Sequence, residues 1–510
     1  MFIKVALLVV FFAITIFIGF YFRKRANSVS DFVLAGRSVG PWLTAFAYGT
    51  SYFSAVIFVG YAGQFGWNFG IAATWIGIGN AFIGSLLPWL ILGKRTRVMT
   101  HHLKSATMPE FFGTRFSSDA LKIGASIIIF IFLIPYTASL YNGLSRLFEV
   151  AFGIDFIYCI IGMAVLTAVY VIAGGYLATA VNDLIQGIIM LVGIVAVILT
   201  VLNNNGGLMT AIGSLAEVQA DGAAPGAFAS IFGPDPIGLL GVVLLTSLGT
   251  WGLPQMVTKF YAIKSEKAIT KGAIISTIFA VVIAGGCYFL GGFGRLYAEV
   301  PGVVEVGANG KVIFDSIIPN IINGLPDILV GVVALLVLSA SMSTLSSLVM
   351  TSSSTLTLDF LKGHVIKNMK DKTQLLIIRL LIVVFILISG LIATIQYYGG
   401  IDFIAQLMGI SWGTLAGAFL APFLLGLYWK RASKASIWCC FIFSTVFMTM
   451  NIFFRGSFPA MLQSPINAGA FSMLIGFIIV PVVSAFTKAP SKETVEHCFS
   501  CYASKKAVNG

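Results

Sequence analysis

About thirteen stretches of this chain stay apolar for about 20 residues each, the length an α-helix needs to cross a bilayer. They cover approximately 2–22, 41–64, 70–93, 123–145, 156–174, 184–202, 236–257, 271–293, 325–350, 374–395, 402–429, 435–454 and 466–486. Lipid offers backbone N–H and C=O groups no partner, so a chain of this kind must fold as helices that bond internally. The sequence therefore predicts an all-α polytopic membrane protein. With 58% hydrophobic and 10% charged residues and a mean hydropathy of +0.97, an ordinary soluble protein is excluded. One transmembrane domain is expected over 1–486, followed by a tail over 487–510, with no soluble domain.

Lys and Arg set the expected orientation. With the N-terminus outside and the C-terminus cytoplasmic, 26 of the 31 basic residues face the cytoplasm, leaving Lys4, Arg146, Arg295, Lys311 and Arg455 outside. The +12 charge then reports topology and attraction to anionic inner-leaflet lipid, not nucleic-acid binding. The expected location is the plasma membrane, crossed many times, with lipid and a small-molecule substrate as partners and no obligatory protein partner evident. The first apolar run ends in Arg23, Lys24 and Arg25 without a small-residue cleavage site, and reads as a retained span. Cys159, Cys287, Cys439 and Cys440 read as core packing. Cys498 and Cys501, after His497, form one CxxC in what reads as a solvated tail, too few ligands for a zinc site. The stretch 108–116, Met-Pro-Glu-Phe-Phe-Gly-Thr-Arg-Phe, reads as amphipathic and interfacial, and the loops 203–235 and 294–324 each have room for a short helix on the outer face.

Deep inside one apolar run, 339–344 reads Ser-Ala-Ser-Met-Ser-Thr. One helical turn separates Ala340 from Ser343 and Thr344, so a carbonyl and two hydroxyls can point to one spot. Neutral oxygens suit a hard monovalent cation such as Na⁺. Close helix packing through Ser and Thr is the competing reading. Two other runs are poor helices: 47–54, Ala-Tyr-Gly-Thr-Ser-Tyr-Phe-Ser, and 246–254, Thr-Ser-Leu-Gly-Thr-Trp-Gly-Leu-Pro, where Pro254 lacks a donor and Gly249 and Gly252 weaken the helix. Five spans separate them, which predicts two five-helix repeats, about 41–202 and 236–429, each opening with a broken helix. Paired breaks of this kind mark a transporter's binding site.

Four segments resemble the sodium/solute symporter family, and its sodium/proline and sodium/pantothenate branch in particular. They are Leu-Ala-Gly-Arg-Ser-Val-Gly-Pro at 34–41, Gly-Gly-Tyr-Leu-Ala-Thr-Ala-Val-Asn-Asp-Leu-Ile-Gln at 174–186, Met-Ser-Thr-Leu-Ser at 342–346, and Gly-Leu-Tyr-Trp-Lys-Arg at 426–431. The resemblance implies a leucine-transporter-like 5+5 inverted repeat with one extra N-terminal and two extra C-terminal helices, and uptake driven by Na⁺ as coupling ion. It implies a sodium site from the carbonyls of Thr50, Phe53 and Ala340 and the hydroxyls of Ser343 and Thr344. It also places Asp183 on the sodium exit route, where the residues themselves equally suggest a cap at a cytoplasmic helix start, and Arg37 near an inner gate.

The resemblance thins at the solute pocket. Ser54 and Tyr136 match pocket positions of the proline branch, while Ala55 replaces a glycine and Tyr52 an aspartate. Thr246 and Thr250 stand where that branch has tryptophan and tyrosine, and Trp251 is turned by about 100° on a regular helix. Residues 252–259 resemble the pantothenate carrier instead. The expected substrate is a small organic solute such as an amino acid like proline, pantothenate or another monocarboxylate. A Na⁺-coupled sugar or polyol symporter is the alternative, then an uncoupled channel. No catalytic constellation is present: the four histidines, His101, His102, His364 and His497, fall outside the predicted spans, so no enzyme is expected. Proton coupling is disfavoured because no membrane-buried carboxylate or histidine is predicted.

Overall fold

A computed structural model of the chain describes residues 2–220, 222–298, 300–306, 310, 312–398 and 404–503. Lys311, Lys505, Lys506 and the rest of the tail beyond Ala503 lie outside the described residues. Among the described residues, ten helices are long and apolar enough to cross a membrane, or eleven if the bent pair Pro236–Gly252 and Pro254–Ala262 is one span. Two of the ten, Val56–His102 and Phe156–Asn204, have 47 and 49 residues, more than twice what one crossing needs. Each folds at a glycine. Gly70 (φ 62°, ψ −143°) and Gly175 (φ 58°, ψ −158°) adopt angles that a side chain would strain. Dividing the two helices there recovers the roughly thirteen spans that hydropathy predicts.

The helix Asp327–Thr355 is the mast of the fold. Every residue from Val333 to Thr355 is buried, as expected of a helix that is apolar or hydroxyl-bearing on all sides. Around it pack Phe2–Phe22, Pro41–Tyr52, Asp119–Phe152, Phe156–Asn204, Pro254–Ala262 and Asp371–Tyr398. Pro465–Phe486 packs on Ile404–Tyr428, Lys434–Phe453 and Pro236–Leu248 at the opposite side. Gly66 and Gly291 let two backbones touch; a Cβ on Gly66 would collide with the Gly291 carbonyl.

Both predicted breaks occur. Pro41–Tyr52 stops at Phe53, whose ψ of 95° is extended, and the chain resumes as a π-helical turn, Val56–Tyr61, running into Ala62–Phe69. Pro236–Leu248 passes through a 3₁₀ turn, Gly249–Gly252, and an extended Leu253 before Pro254–Ala262 departs at 45°. The segments 203–235 and 294–324 each hold a short helix, Leu208–Glu217 and Phe314–Asn323.

Several expectations at the Lys/Arg-rich end are corrected. The stretch 108–116 does not lie at a lipid interface: in the helix Met108–Arg115, Phe111 and Phe112 are fully buried against Phe419, Phe423 and Phe441. Thr107 and Glu110 cap it, the Thr107 hydroxyl accepting from the Glu110 N–H and the Glu110 carboxylate from the Ala106 N–H. Nor is the tail solvated. Its helix Lys492–Ala503 docks with Cys498 fully buried, Tyr502 donating to the Arg95 carbonyl at 2.9 Å and Phe499 under the Arg115 guanidinium. Burial raises the Cys498 thiol pKa, and lowers that of Arg115 to about 10. Cys439, expected in the core, is exposed.

Candidate ion and solute site

A helix end leaves its last carbonyls without N–H partners, and the break after Tyr52 puts such an end inside the protein. The Thr50 carbonyl faces the mast, 3.2 Å from Ser343 Oγ and 3.0 Å from Thr344 Oγ1. The same two hydroxyls lie 3.2 and 3.0 Å from the Ala340 carbonyl, and Ser343 Oγ lies 2.9 Å from the Ser339 carbonyl. Five oxygens thus crowd together with only two hydroxyl protons among them. All five residues are buried. An electron-rich cluster of neutral oxygens fits a monovalent cation, and each hydroxyl can rotate its proton away and offer a lone pair. Four of the five predicted ligands, Thr50, Ala340, Ser343 and Thr344, are brought together. Phe53 supplies the extended residue that ends the helix; among the described residues no bond joins its carbonyl to the hydroxyls. The Ser339 carbonyl is a member that the resemblance did not name.

One turn along the mast, towards the Lys/Arg-rich end, Ser347 Oγ lies 2.7 Å from Ser51 Oγ and accepts from Lys259 Nζ at 2.8 Å. Lys259, counted from sequence among cytoplasmic charges, is only 3% exposed, and its ammonium sits 5.2 Å from the Tyr176 ring centre. Asp183 is no helix cap: it lies two turns beyond the Gly175 kink, inside Phe156–Asn204. It is fully buried, and among the described residues neither carboxylate oxygen has a hydrogen-bond partner. Asp359 is buried too, taking a 2.6 Å bond from Thr107 Oγ1 with Lys122 3.6 Å away. The expectation of no membrane-buried carboxylate is therefore overturned. Arg37 donates to the carbonyls of Ser105 at 2.6 Å and Thr100 at 3.4 Å, and burial lowers its pKa. It ties its loop to the neighbouring segment.

The predicted solute residues divide into two groups. Ser54 and Tyr136 face each other with Trp412 beside them. Among the described residues, Ser54 Oγ, the Tyr136 hydroxyl and Trp412 Nε1 are buried and make no hydrogen bond of ordinary length. Tyr61 and Tyr288 bring two more unbonded hydroxyls to the same neighbourhood, and Ala55 is buried next to Ser54. The second group is already engaged. Thr246 Oγ1 back-bonds to the Val242 carbonyl, Thr250 Oγ1 donates to Gly84 and Ser247, and Trp251 Nε1 donates to Ile83 at 2.8 Å. Trp412, Tyr61 and Tyr288 escaped sequence reading because single aromatics on apolar helices look like core.

A family model, "Sodium:solute symporter family", matches residues 32–443. The chain belongs to the sodium:solute symporter family. Among its relatives, the osmoregulated proline transporter OpuE of Bacillus subtilis is 28% identical over 491 residues, covering 95% of this chain and 94% of that one. A sodium/proline symporter of Staphylococcus aureus is 31% identical over 440 residues, covering 84% and 82%. Among solved structures, a substrate-bound, outward-open Na⁺-coupled sialic acid symporter superposes with a TM-score of 0.77 at 18% identity, covering 96% of this chain and 99% of that one. A nucleobase-cation-symport-1 family transporter in a closed conformation follows at 0.51 and 14% identity. These likenesses show the leucine-transporter-like fold. The family member described here is a multi-pass membrane protein and a Na⁺-coupled solute symporter.

Proposed function

We propose that this symporter imports a small zwitterion or monocarboxylate, with proline the first candidate, using one Na⁺ bound by Thr50, Ala340, Ser343 and Thr344 and closed by the Phe53 carbonyl. The observation that carries the reading is the Thr50 carbonyl, freed by the break and met by two hydroxyls of the mast. Na⁺ at that point joins the first broken helix to the mast and fixes the break. Ser54, the residue after Phe53, is then set in place with Tyr136 and Trp412. Ion and solute affinities become linked, typically by about 1–3 kcal/mol, and reciprocally.

The solute class follows from the side chains gathered beside the first break. Ser54, Tyr136, Trp412, Tyr61 and Tyr288 offer hydroxyls, an indole N–H and ring faces, and no charged side chain. A carboxylate can turn to the first N–H groups of the half-helix after the break, while a polyanion or a free cation meets no counter-charge. The proline relatives support an amino acid over a sugar. We place the N-terminus outside and the C-terminus in the cytoplasm, from the bias of Lys and Arg, with the repeats at about 41–202 and 236–429.

The test is a thermal-shift screen of purified protein against proline, other small amino acids, pantothenate and sugars, with and without Na⁺. A ligand at about 100 times its Kd stabilises by about 2.7 kcal/mol. The expected hit is proline or a close analogue, and only with Na⁺. Stabilisation by sugars alone, or independent of Na⁺, overturns the reading.

A further inference from the structure

Two open cavities meet where the first helix, Phe2–Phe22, packs on the first half of Phe156–Asn204. One, of about 430 Å³, is lined by Phe20, Val169 and Ile172 and by two arginines, Arg23 and Arg379. The other, of about 520 Å³, continues from Val169, which lines both, along Ile16, Phe12 and Leu8. Those three residues and Phe20 recur every fourth position, so they share one face of the helix. From Phe20 to Leu8 that helix rises about 18 Å, slightly more than the roughly 15 Å of hydrocarbon in one leaflet. The two cavities thus form an apolar groove one leaflet long, with arginines at one end only. Among the described residues no carboxylate lines the arginine end, and no charged residue lines the rest. Arg379 holds its guanidinium carbon 5.4 Å from the Phe32 ring centre, and among the described residues its buried Nε has no hydrogen-bond partner. A buried N–H of a cation without an acceptor is a cost that a bound anion removes.

We propose that this groove holds one anionic glycerophospholipid of the cytoplasmic leaflet, its phosphate at Arg23 and Arg379 and one acyl chain along Phe20, Ile16, Phe12 and Leu8. The inference is independent of the sodium site and takes from the reading above only the orientation that puts Arg23 on the cytoplasmic side. Guanidinium groups match phosphate oxygens in geometry as well as charge, and basic pockets between membrane helices on that side suit lipid headgroups. A free phosphate would use the arginines and leave the groove unexplained. A zwitterionic lipid would bring its own ammonium to two arginines with no carboxylate among them, so the headgroup is a net anion. Arg23 closes the first helix, Arg379 belongs to Asp371–Tyr398, and Val169 and Ile172 belong to Phe156–Asn204. All three helices pack on the mast. The lipid therefore staples the first helix to two others of the same scaffold.

The test is native mass spectrometry of the delipidated full-length protein in neutral detergent, titrated with dioleoyl phosphatidylglycerol, with dioleoyl phosphatidylcholine or with glycerol phosphate. Phosphatidylglycerol should bind at a single high-affinity position, at least about fivefold tighter than phosphatidylcholine, and glycerol phosphate should not displace it. Arg23→Gln with Arg379→Gln should weaken phosphatidylglycerol by about tenfold or more, at about fivefold per lost cation. Lys24→Gln with Arg25→Gln removes as much charge next door but none from the groove, and should cost less than about threefold. Equal losses in the two double variants, equal affinity for the two lipids, or displacement by glycerol phosphate each overturn the proposal. If the arginine double variant does not fold, Val169→Trp decides. It plugs the junction of the two cavities at a residue already 37% exposed, and leaves both arginines in place. A Val169→Trp protein that binds phosphatidylglycerol as tightly as the parent overturns the proposal.

Discussion

At the first break, after Tyr52, the Thr50 carbonyl, released from the helix ladder, accepts from hydroxyls of another helix. At the second, between Gly249 and Pro254, the nearest polar side chains are tied to a facing π-helical turn, Phe82–Leu86. A π-turn releases carbonyls from the ordinary i→i+4 ladder. Ile83 and Gly84 receive Trp251 Nε1 and Thr250 Oγ1, and Gly84 also accepts from the Tyr48 hydroxyl at 2.8 Å. Tyr52 then joins the two breaks, donating to the Thr246 carbonyl at 2.6 Å. Corresponding breaks in the two repeats thus do different work. In the proposed reading, one gathers a cluster of oxygens that suits an ion, and the other is closed by its own side chains.

The largest expected effect tests the open break. Ser343→Ala with Thr344→Ala removes both hydroxyls, and hydrogen bonds to charged groups are worth about 1.5–3 kcal/mol each. Apparent Na⁺ affinity should fall by about a hundredfold or more, abolishing Na⁺-driven uptake in proteoliposomes while the protein still inserts and purifies. Uptake that keeps the parent's Na⁺ dependence would remove the site assignment.

A smaller effect, of a different kind, is expected at the closed break. Trp251→Phe keeps an aromatic ring and deletes the donor to Ile83, leaving a part-buried carbonyl short of a partner at about 1–2 kcal/mol. A lower thermal midpoint with unchanged half-saturating Na⁺ is the expected pair of readings. The opposite pair, an intact midpoint with shifted Na⁺ dependence, would make the second break part of the ion machinery.

Much of this contrast is legible in the amino-acid sequence, and the rest is hidden for identifiable reasons. Hydropathy and the Gly, Pro and hydroxyl pattern locate the spans, both breaks and the Ala340, Ser343 and Thr344 cluster, because helical spacing is a local property. Which hydroxyls are free is a tertiary property: Thr250 and Ser54 look alike in sequence, yet Thr250 meets a displaced carbonyl and Ser54 does not. Lys259 stands at the end of an apolar run near Lys264 and Lys267, so charge counting assigns it to the basic face. The extended Leu253 and the 45° bend carry it inward instead. The tail reads as polar because its buried face, Cys498 and Phe499, matches Arg115 and Lys430 far away in sequence.

The smallest expected effect concerns the solute rather than the ion. Tyr136→Phe removes a hydroxyl that is fully buried and, among the described residues, makes no hydrogen bond of ordinary length. Deleting an unbonded buried hydroxyl costs the fold little and can stabilise it, since the group was desolvated without compensation. A solute that accepts or donates at this position loses one hydrogen bond, worth about 0.5–1.5 kcal/mol, so KM for the transported solute should rise about two- to tenfold. Half-saturating Na⁺, measured at saturating solute, should stay near the parent value because the ring still packs edge-on against Trp412 at 5.8 Å. Uptake kinetics and a melting curve on the same preparation separate the possibilities. An unchanged KM with a lowered midpoint would mean that the hydroxyl serves the fold and that the solute binds elsewhere. An unchanged midpoint with a raised KM would set Tyr136 against Trp251: the unbonded polar atom at the open break serves the solute, and the bonded one at the closed break serves the scaffold.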